Sequence, residues 1–223
     1  MNKLKKPLII LTGPTAVGKT ELSIQLAKAV NGEIISADSM QIYKEMNIGS
    51  AKIQPEEMKG VPHYLVDEIE PEEEFNVVRF QTMAKNAMKM IYQKGKIPVI
   101  VGGTGFYIQA LLYDIDFTDT TQDLNYRREL EQLVQEKGNE YLHEMLQKVD
   151  PKAAQEIHEN NRKRVIRALE YYRDTGKQIS EHNEQQRQKE SPYQFVYFVL
   201  NRDRQELYRR IDQRVDRMME QGL

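Results

Sequence analysis

The stretch Gly13-Pro14-Thr15-Ala16-Val17-Gly18-Lys19-Thr20 decides the fold, because it fits the pattern GxxxxGK[ST] and is flanked by the two elements that this pattern requires. The apolar run PLIIL at 7–11 precedes it and is typical of a buried parallel strand. The segment 21–30 follows it with helical spacing, and we expect a buried helix face that carries Leu22, Leu26 and Ala29. The sequence thus predicts a strand, a glycine-containing loop and a helix in that order.

A loop of this kind is suited to holding a phosphate group. Its backbone N–H groups and the positive N-terminus of the following helix converge on the anion. Lys19 adds a mobile cation, and the Thr20 hydroxyl is a candidate ligand for Mg²⁺. The motif by itself does not show which molecule carries the phosphate.

Composition limits the class of protein. The 223 residues carry a net charge of −2, which excludes a globally basic nucleic-acid binder but leaves room for a local basic patch. The absence of cysteine excludes disulfides, thiolate catalysis and cysteine-ligated zinc. The start, MNKLKKPLIIL, is positively charged, but its apolar run is too short for a signal peptide. We therefore expect a soluble, cytoplasmic protein.

Strands and helices alternate along the first half of the chain, which predicts an α/β fold with a parallel sheet. The segments 33–37 and 97–101 are predicted to be buried strands, and 76–95 a helix. In such sheets ligands sit at the carboxyl ends of the strands, which is where Asp38 falls, followed by Ser39, Met40 and Gln41. Asp38 is then either a catalytic or metal-binding carboxylate or an ordinary turn residue.

The strand at 97–101 leads into Gly102-Gly103-Thr104-Gly105. Glycines at this position let the backbone approach a ligand, and Thr104 offers a hydroxyl, although an ordinary tight turn is the alternative. A nucleotide hydrolase with this phosphate loop usually carries an Asp after an apolar strand to hold Mg²⁺. Here that strand ends in glycine, so Asp38 is the candidate of this kind.

Helical periodicity and higher charge mark residues 114–192, which predicts an all-helical insertion between core segments at 1–113 and 193–223. Four helices are expected, at 124–137, 140–149, 151–158 and 162–175. The polar stretch 181–190 is predicted to be a linker or an exposed helix end. Basic clusters stand at 127–128 and 162–167, although most such runs are solvated helix faces.

The chain then returns to core character. The run FVYFVL at 195–200 predicts a strand that rejoins the sheet, and a final helix follows from Asp203. Arg204 stands at the start of that helix, where it would clamp a phosphate group or pair with a carboxylate.

Six segments together resemble the tRNA dimethylallyltransferase family: GPTAVGKT at 13–20, ADSMQIYK at 37–44, IGSAK at 48–52, VGGTGFY at 101–107, NRKRVIRALE at 161–170 and DRQELYRRIDQRVDRMMEQGL at 203–223. They occur in the family's order, and relatives continue beyond the position of Leu223. The resemblance implies a P-loop NTPase-like, kinase-like core with a helical domain that grips the tRNA anticodon stem-loop. It also implies transfer of the dimethylallyl group of dimethylallyl diphosphate to N6 of the adenosine 3′ of the anticodon.

The resemblance also assigns roles to individual residues. Asp38 would be the general base, Thr104 its partner at the reacting centre, and Arg204 an aid in binding the diphosphate. The diphosphate would lie against Gly13, Thr15, Ala16, Val17, Gly18, Lys19 and Thr20, with Mg²⁺ on Thr20. The tRNA would be contacted by Asp38, Ser39, Met40, Gln41, Thr104, Arg127, Asn160, Asn161, Arg162, Lys163 and Arg164. We expect the enzyme to be a monomer.

Three other functions stay open. A small-molecule kinase would use the same loop for ATP, but no lid arginine pattern is recognisable and the insert is larger than a typical lid. A related enzyme would prenylate free adenine nucleotides, although the basic insert favours tRNA. A non-enzymatic RNA-binding or nucleotide-sensing protein would bind RNA without forming a covalent product.

Overall fold

The structure is a computed structural model that describes residues 5–117 and 124–223, so the first four residues of the charged N-terminal stretch lie outside it. The chain divides into two compact units, Met1–Ile115 with Ser191–Leu223, and Asp116–Glu190. Each unit has its own hydrophobic core. Within the described residues, no helix has the length and apolar character needed to cross a membrane.

A five-stranded parallel sheet forms the centre of the first unit. Its strands are β1 (Lys6–Thr12), β2 (Gly32–Ser36), β3 (His63–Tyr64), β4 (Ile97–Gly102) and β5 (Tyr193–Val199). The strand order is β3-β2-β4-β1-β5, so β1 lies between β4 and β5. The predicted α/β class is confirmed, as are the strands expected around 7–11, 33–37, 97–101 and 195–200. The order places the carboxyl end of β1 at the middle of the sheet edge where ligands bind.

Eight helices complete the described chain: α1 (Lys19–Ala29), α2 (Val77–Gln93), α3 (Gly105–Leu112), α4 (Leu124–Val149), α5 (Pro151–Glu156), α6 (Arg162–Thr175), α7 (Ile179–Arg187) and α8 (Arg204–Glu220). In the first unit, α2 and α3 pack on one sheet face, where Phe80 and Ile108 join Ile35 and Ile100. On the other face, Ile24 and Ala27 of α1 pack against Ile34 and Val99. Neighbouring residues of a strand thus serve opposite faces, as the pleat requires.

The predicted buried face of α1 is wrong in two of its three residues. Leu22 is 40% exposed and Ala29 is exposed, while Ser23, Ile24 and Ala27 are buried. Apolar spacing alone allowed two neighbouring stripes on this helix, and contact with the sheet selected the stripe that contains Ile24 and Ala27.

Strand β5 is the edge strand beside β1. Its side chains from Phe195 to Val199 are all exposed, with Val199 at 66%, although the run is apolar enough for a buried strand. In the described residues, β1 is the only strand that pairs with β5.

The second unit is a helical bundle. Helix α4 is broken at Gly138, whose backbone is left-handed with φ 85°, so the predicted helices at 124–137 and 140–149 are confirmed as its two halves. Leu130, Leu142 and Leu146 of α4 pack with Ile166 and Leu169 of α6 in the core.

Of the two alternatives predicted for 181–190, the linker is wrong and the exposed helix end is confirmed, because most of this stretch belongs to α7 and is exposed. Polar contacts, together with packing of Ile179 on the hydrophobic core, hold this helix in the second unit. Ser180 donates from its N–H and its hydroxyl to the buried carboxylate of Asp150, at 2.9 and 2.6 Å. Asp150 also caps α5 by accepting from the N–H of Ala153.

Candidate active site

The phosphate loop runs from Gly13 to Gly18, between β1 and the first turn of α1, as predicted. Gly13 has φ 150°, and a Cβ placed on it would lie 2.6 Å from the carbonyl oxygen of Leu200. No other residue fits there, because that contact is with backbone which cannot turn aside. The end of β5 therefore passes directly against the first residue of the loop.

Lys19 is folded over this loop. Its Nζ donates to the carbonyl oxygens of Gly13 and Pro14, both at 2.8 Å. Burial lowers the pKa of Lys19, the Asp38 carboxylate counteracts this by raising it, and the Arg214 guanidinium lowers it further. The ammonium group thus lies between the loop, an acidic group from β2 and a basic group from α8.

Asp38 and Thr104 come together because the strands that precede them are neighbours. The N–H of Ala37 donates to Val101 at 2.7 Å, and the N–H of Thr104 donates back to Ala37 at 3.3 Å. A Cβ on Gly102 would lie 2.3 Å from the carbonyl oxygen of Ala37, so only glycine lets the two strand ends approach this closely. Thr104 stands at the N-terminus of α3, but its hydroxyl does not cap the helix and is available to a ligand.

Asp38 also closes the turn that follows β2. Its Oδ1 accepts from the N–H groups of Met40 at 2.8 Å and Gln41 at 3.3 Å. The Gln41 amide group then donates to the carbonyl oxygens of Ser50 and Ala51, at 3.3 and 3.0 Å. Because both donors of that amide face carbonyls, its Oε1 atom is the group that can accept a hydrogen bond from a ligand.

Arginines after β5 reach the phosphate loop, but Arg204 is not among those with a contact there. Arg204 donates from Nε to the hydroxyl of Tyr208 at 2.9 Å and lies over its ring. Arg202 donates instead to Val17 at 3.4 Å, and Arg210 donates to Ala16 at 2.8 Å. Sequence reasoning missed both residues; Arg202 was recognisable as a second arginine in the same turn, whereas the helix face of Arg210 was not.

A cavity of about 400 Å³ opens between α1, the loop and the end of β5. Its lining includes Gly18, Leu22, Arg202 and Arg210. The phosphate loop is therefore bordered by this basic cavity on the β5 side and by Asp38 and Thr104 on the β2 and β4 side.

The predicted tRNA contacts of the second unit differ in their surroundings. Arg127 forms a two-pronged ion pair with the mostly buried Glu170, at 2.9 and 3.0 Å, so its guanidinium already serves the helical core. Asn160 accepts from Asn139 at 2.8 Å. Asn161 is exposed at the N-terminal position of α6, and the side chains of its first turn are exposed: Arg162, Lys163 and Arg164.

Metal ligands are sparse in the described part of the chain. No group of three or more His, Asp or Glu residues is placed to hold an ion there. His63 donates from Nδ1 to the carbonyl oxygen of Val61 at 2.8 Å, and burial lowers the pKa of its imidazole. Thr20 and Asp38 remain as oxygen donors beside the phosphate loop.

The parallel sheet carries a GxxxxGK[ST] loop between β1 and α1, and polar groups lie at two neighbouring strand ends. These features define an enzyme core of the P-loop class. The family model described as IPP transferase matches residues 41–223. The tRNA dimethylallyltransferase of Lachnoclostridium phytofermentans is 65% identical over 218 residues, which are 98% of this chain and 70% of that protein. That of Carboxydothermus hydrogenoformans is 53% identical over 99% of this chain and 71% of its own length.

Solved structures agree with the sequence matches. A tRNA isopentenylpyrophosphate transferase from Bacillus halodurans is 47% identical, with a TM-score of 0.67, over 98% of this chain and 67% of its own. A eukaryotic dimethylallyltransferase acting on tRNA is 37% identical, with a TM-score of 0.86, over 97% of this chain and 54% of its own. The chain belongs to the tRNA dimethylallyltransferase family.

Proposed function

We propose that the chain transfers the dimethylallyl group of dimethylallyl diphosphate to N6 of the adenosine 3′ of the anticodon in tRNA. A bond forms between N6 and the allylic carbon, the bond between that carbon and the diphosphate oxygen breaks, and N6 loses a proton. The observation that carries the proposal is the meeting of Asp38 and Thr104 beside Lys19 and the phosphate loop, in a member of this family.

The loop acts on the leaving group. Negative charge builds up on the diphosphate as its bond to the allylic carbon stretches, so N–H groups of the loop stabilise the transition state more than the ground state. Lys19 lies at the same place and exchanges its two carbonyl partners for diphosphate oxygens. Arg202 adds positive charge on the β5 side.

Asp38 acts on the nucleophile. An adenine amine is a poor nucleophile until it begins to lose its proton, and a carboxylate at neutral pH is ionised and can accept that proton. The turn engages Oδ1 of Asp38, which leaves Oδ2 for the N6 proton. The Thr104 hydroxyl and the Oε1 atom of Gln41 would orient the adenine beside this carboxylate.

Mg²⁺ fits the oxygen donors at the loop. The Thr20 hydroxyl is a suitable protein ligand, and Mg²⁺ commonly binds through one or two protein groups together with phosphate oxygens and water. When bound, the ion would neutralise charge on the diphosphate.

The helical unit provides the basic surface for tRNA. Arg162, Lys163 and Arg164 are exposed on the first turn of α6 and suit the backbone of an anticodon stem-loop. An adenosine in that loop must leave its stack to reach Asp38, and backbone contacts offset the cost of about a few kcal/mol. We propose that the enzyme acts in the cytoplasm and as a monomer.

A single incubation tests the proposal. The protein is mixed with Mg²⁺, unmodified tRNA and labelled dimethylallyl diphosphate, beside tubes that contain free AMP in place of tRNA or labelled ATP as donor. Label is expected in tRNA alone, at the adenosine 3′ of the anticodon. Label in AMP would identify an adenine-nucleotide prenyltransferase, and transfer from ATP would identify a kinase.

A further inference from the structure

Lys52 is a buried cation in the loop between β2 and β3. Its side chain is 3% exposed, and its Nζ donates to the Asp67 carboxylate at 2.6 Å and to the carbonyl oxygen of Tyr43 at 2.5 Å. Burial of an ammonium group is costly unless the group is paired and hydrogen-bonded, as it is here. Because apolar side chains often replace buried ion pairs without loss of stability, stability alone does not account for this lysine.

Lys52 directly follows the two residues that hold the side chain of Gln41. The Gln41 amide donates to the carbonyl oxygens of Ser50 and Ala51, at 3.3 and 3.0 Å. Ala51 has φ 45°, a left-handed conformation that costs an alanine energy and needs support from its surroundings. By fixing the residue after Ala51, the ion pair of Lys52 keeps both carbonyls within reach of the amide.

Asp67 holds the backbone of the same glutamine. Its N–H donates to the carbonyl oxygen of Gln41 at 2.9 Å, while its carboxylate accepts from Lys52. Asp67 is also a non-glycine residue in the left-handed region, with φ 60°. The N–H of the next residue, Glu68, donates to Ile42 at 2.8 Å, so the two segments stay in contact along the chain. The supports of the side chain and of the backbone of Gln41 therefore meet at the Lys52 ammonium group.

We propose that Lys52, paired with Asp67, is a positioning residue that acts through Gln41. It joins the segments 50–52 and 67–68, so that the Oε1 atom of the Gln41 amide faces the ligand. An oxygen acceptor at that place favours a base that carries an exocyclic amine, such as adenine, and opposes a base that carries a carbonyl there, such as hypoxanthine. The assignment of adenine to this position rests on the proposed function.

The experiment compares Lys52→Met with Lys44→Met in the full chain. Lys44 is the matched control because it lies on the same loop and pairs with Glu70 on the surface. Each protein is titrated with an anticodon stem-loop RNA that carries either adenosine or inosine 3′ of the anticodon. We expect Lys52→Met to reduce the preference for adenosine about fivefold, the worth of one hydrogen bond, and to leave binding of inorganic diphosphate with Mg²⁺ within about twofold. Lys44→Met should match the wild-type protein in both measurements.

Two further comparisons separate positioning from folding. Gln41→Ala removes the amide through which Lys52 acts, so Gln41→Ala combined with Lys52→Met should discriminate as well as Gln41→Ala alone. A lysine that only stabilised the fold would add its own loss to that of Gln41→Ala. Asp67→Asn keeps an oxygen acceptor for Lys52 and should keep most of the preference for adenosine, whereas Asp67→Ala should lose as much as Lys52→Met.

An unchanged preference in Lys52→Met, an equal loss in Lys44→Met or an additive loss in the double variant would overturn the role of Lys52. If Lys52→Met does not fold, Asp67→Ala and Asp67→Asn make the same comparison, because the Asp67 side chain is 56% exposed and its loss leaves no gap in a core.

Hydrogen exchange of the segment 40–52 tests the same network without RNA. We expect faster exchange in Lys52→Met than in Lys44→Met, and equal exchange would overturn the role of Lys52. If the wild-type protein binds both RNAs equally while exchange still separates the two lysines, the proposed recognition of adenosine is wrong and the support of Gln41 by Lys52 stands.

Discussion

Asp38 shows how one side chain meets two demands. Its Oδ1 closes the turn after β2, and the carboxylate as a whole lies near enough to Lys19 to raise the pKa of that ammonium against the larger effect of burial. The alternatives of turn residue and reactive carboxylate are therefore compatible. The two roles place different requirements on the side chain. The turn needs only an acceptor oxygen, whereas a general base needs a negative charge.

Asp38→Asn separates the two demands. The amide oxygen of asparagine can still accept from Met40 and Gln41, so the fold and tRNA affinity should stay unchanged, but the base is lost. We expect kcat to fall by roughly a hundredfold or more. Single-turnover rates, melting temperature and tRNA binding are measured on the same preparation. An unaltered rate would remove Asp38 from the mechanism.

Glu33 makes the free energy of unfolding depend on pH, and it lies outside the candidate active site. This carboxylate is 1% exposed and accepts from Lys96 at 2.8 Å, Lys94 at 3.0 Å and Tyr64 at 2.6 Å. Burial acts to raise its pKa, but these three hydrogen bonds outweigh it and hold the pKa at about 2, below the usual 4.5. The lowered pKa means that its stabilisation is complete above pH 4.5 and is lost as the pH falls toward 2.

Glu33→Gln should therefore destabilise the protein by about 2–3 kcal/mol at pH 6, and the difference from wild type should shrink by about 2 kcal/mol at pH 3. Urea unfolding at both pH values gives the two differences. Glu73→Gln, which removes an exposed pair with Arg79, serves as the control. A deficit of the same size at both pH values would show that the Glu33 network is not responsible.

At the scale of elements, the meeting of β2 and β4 sets the distance between Asp38 and Thr104. Gly102→Ala would place a methyl group against the backbone of Ala37 and push the strand ends apart. We expect a loss of about 1–3 kcal/mol in stability, as for other overpacked sites, together with a lower kcat.

Gly103→Ala is the matched control for thermal unfolding, because the nearest atom to its added carbon would be 3.9 Å away. Its melting temperature should equal that of the wild-type protein. An equal loss in both variants would mean that alanine is unfavourable for another reason in this turn.

Strands, loops and most helices of this fold could be predicted from local pattern. The glycine loop, the apolar runs and the cap at Asn76 each act within a few residues of the chain, and the structure confirms them. For helix α7 the local pattern left two alternatives, a linker and an exposed helix end. The hydrogen bonds from Ser180 to Asp150 that help to hold this helix span thirty residues, and no local signal marks such a contact.

The site residues that follow strands could be predicted from the sequence, and those on helix α8 could not. Residues that follow parallel strands lie at the sheet edge where ligands bind, so Asp38 and Thr104 lie where expected. Helix α8 carries five arginines, counting Arg204 at its start, and composition cannot tell which of them face the loop. Arg204 was chosen for its position at the helix start, whereas Arg210 makes the contact with Ala16.

At the scale of the whole molecule, the two basic side chains Arg127 and Arg164 should behave differently. Arg164 is exposed on α6, so Arg164→Gln should weaken tRNA binding similarly for all tRNAs and flatten the salt dependence by about one unit. Arg127→Gln breaks a pair with the mostly buried Glu170 and should lower the melting temperature. Binding titrations at several salt concentrations test both variants. A full salt slope in Arg164→Gln would remove it from the tRNA contacts.

The pairing of β1 with β5 joins two strands that are synthesised far apart in time. Thr12 pairs with Val199, so 199 − 12 = 187 positions separate these partners along the chain. At roughly 5–20 residues per second on the ribosome, the first strand waits about 10–40 s for its neighbour. The helical unit, whose residues are contiguous, is synthesised completely within that interval. All residues of the helical unit are therefore joined before the phosphate loop has the strand that passes against Gly13.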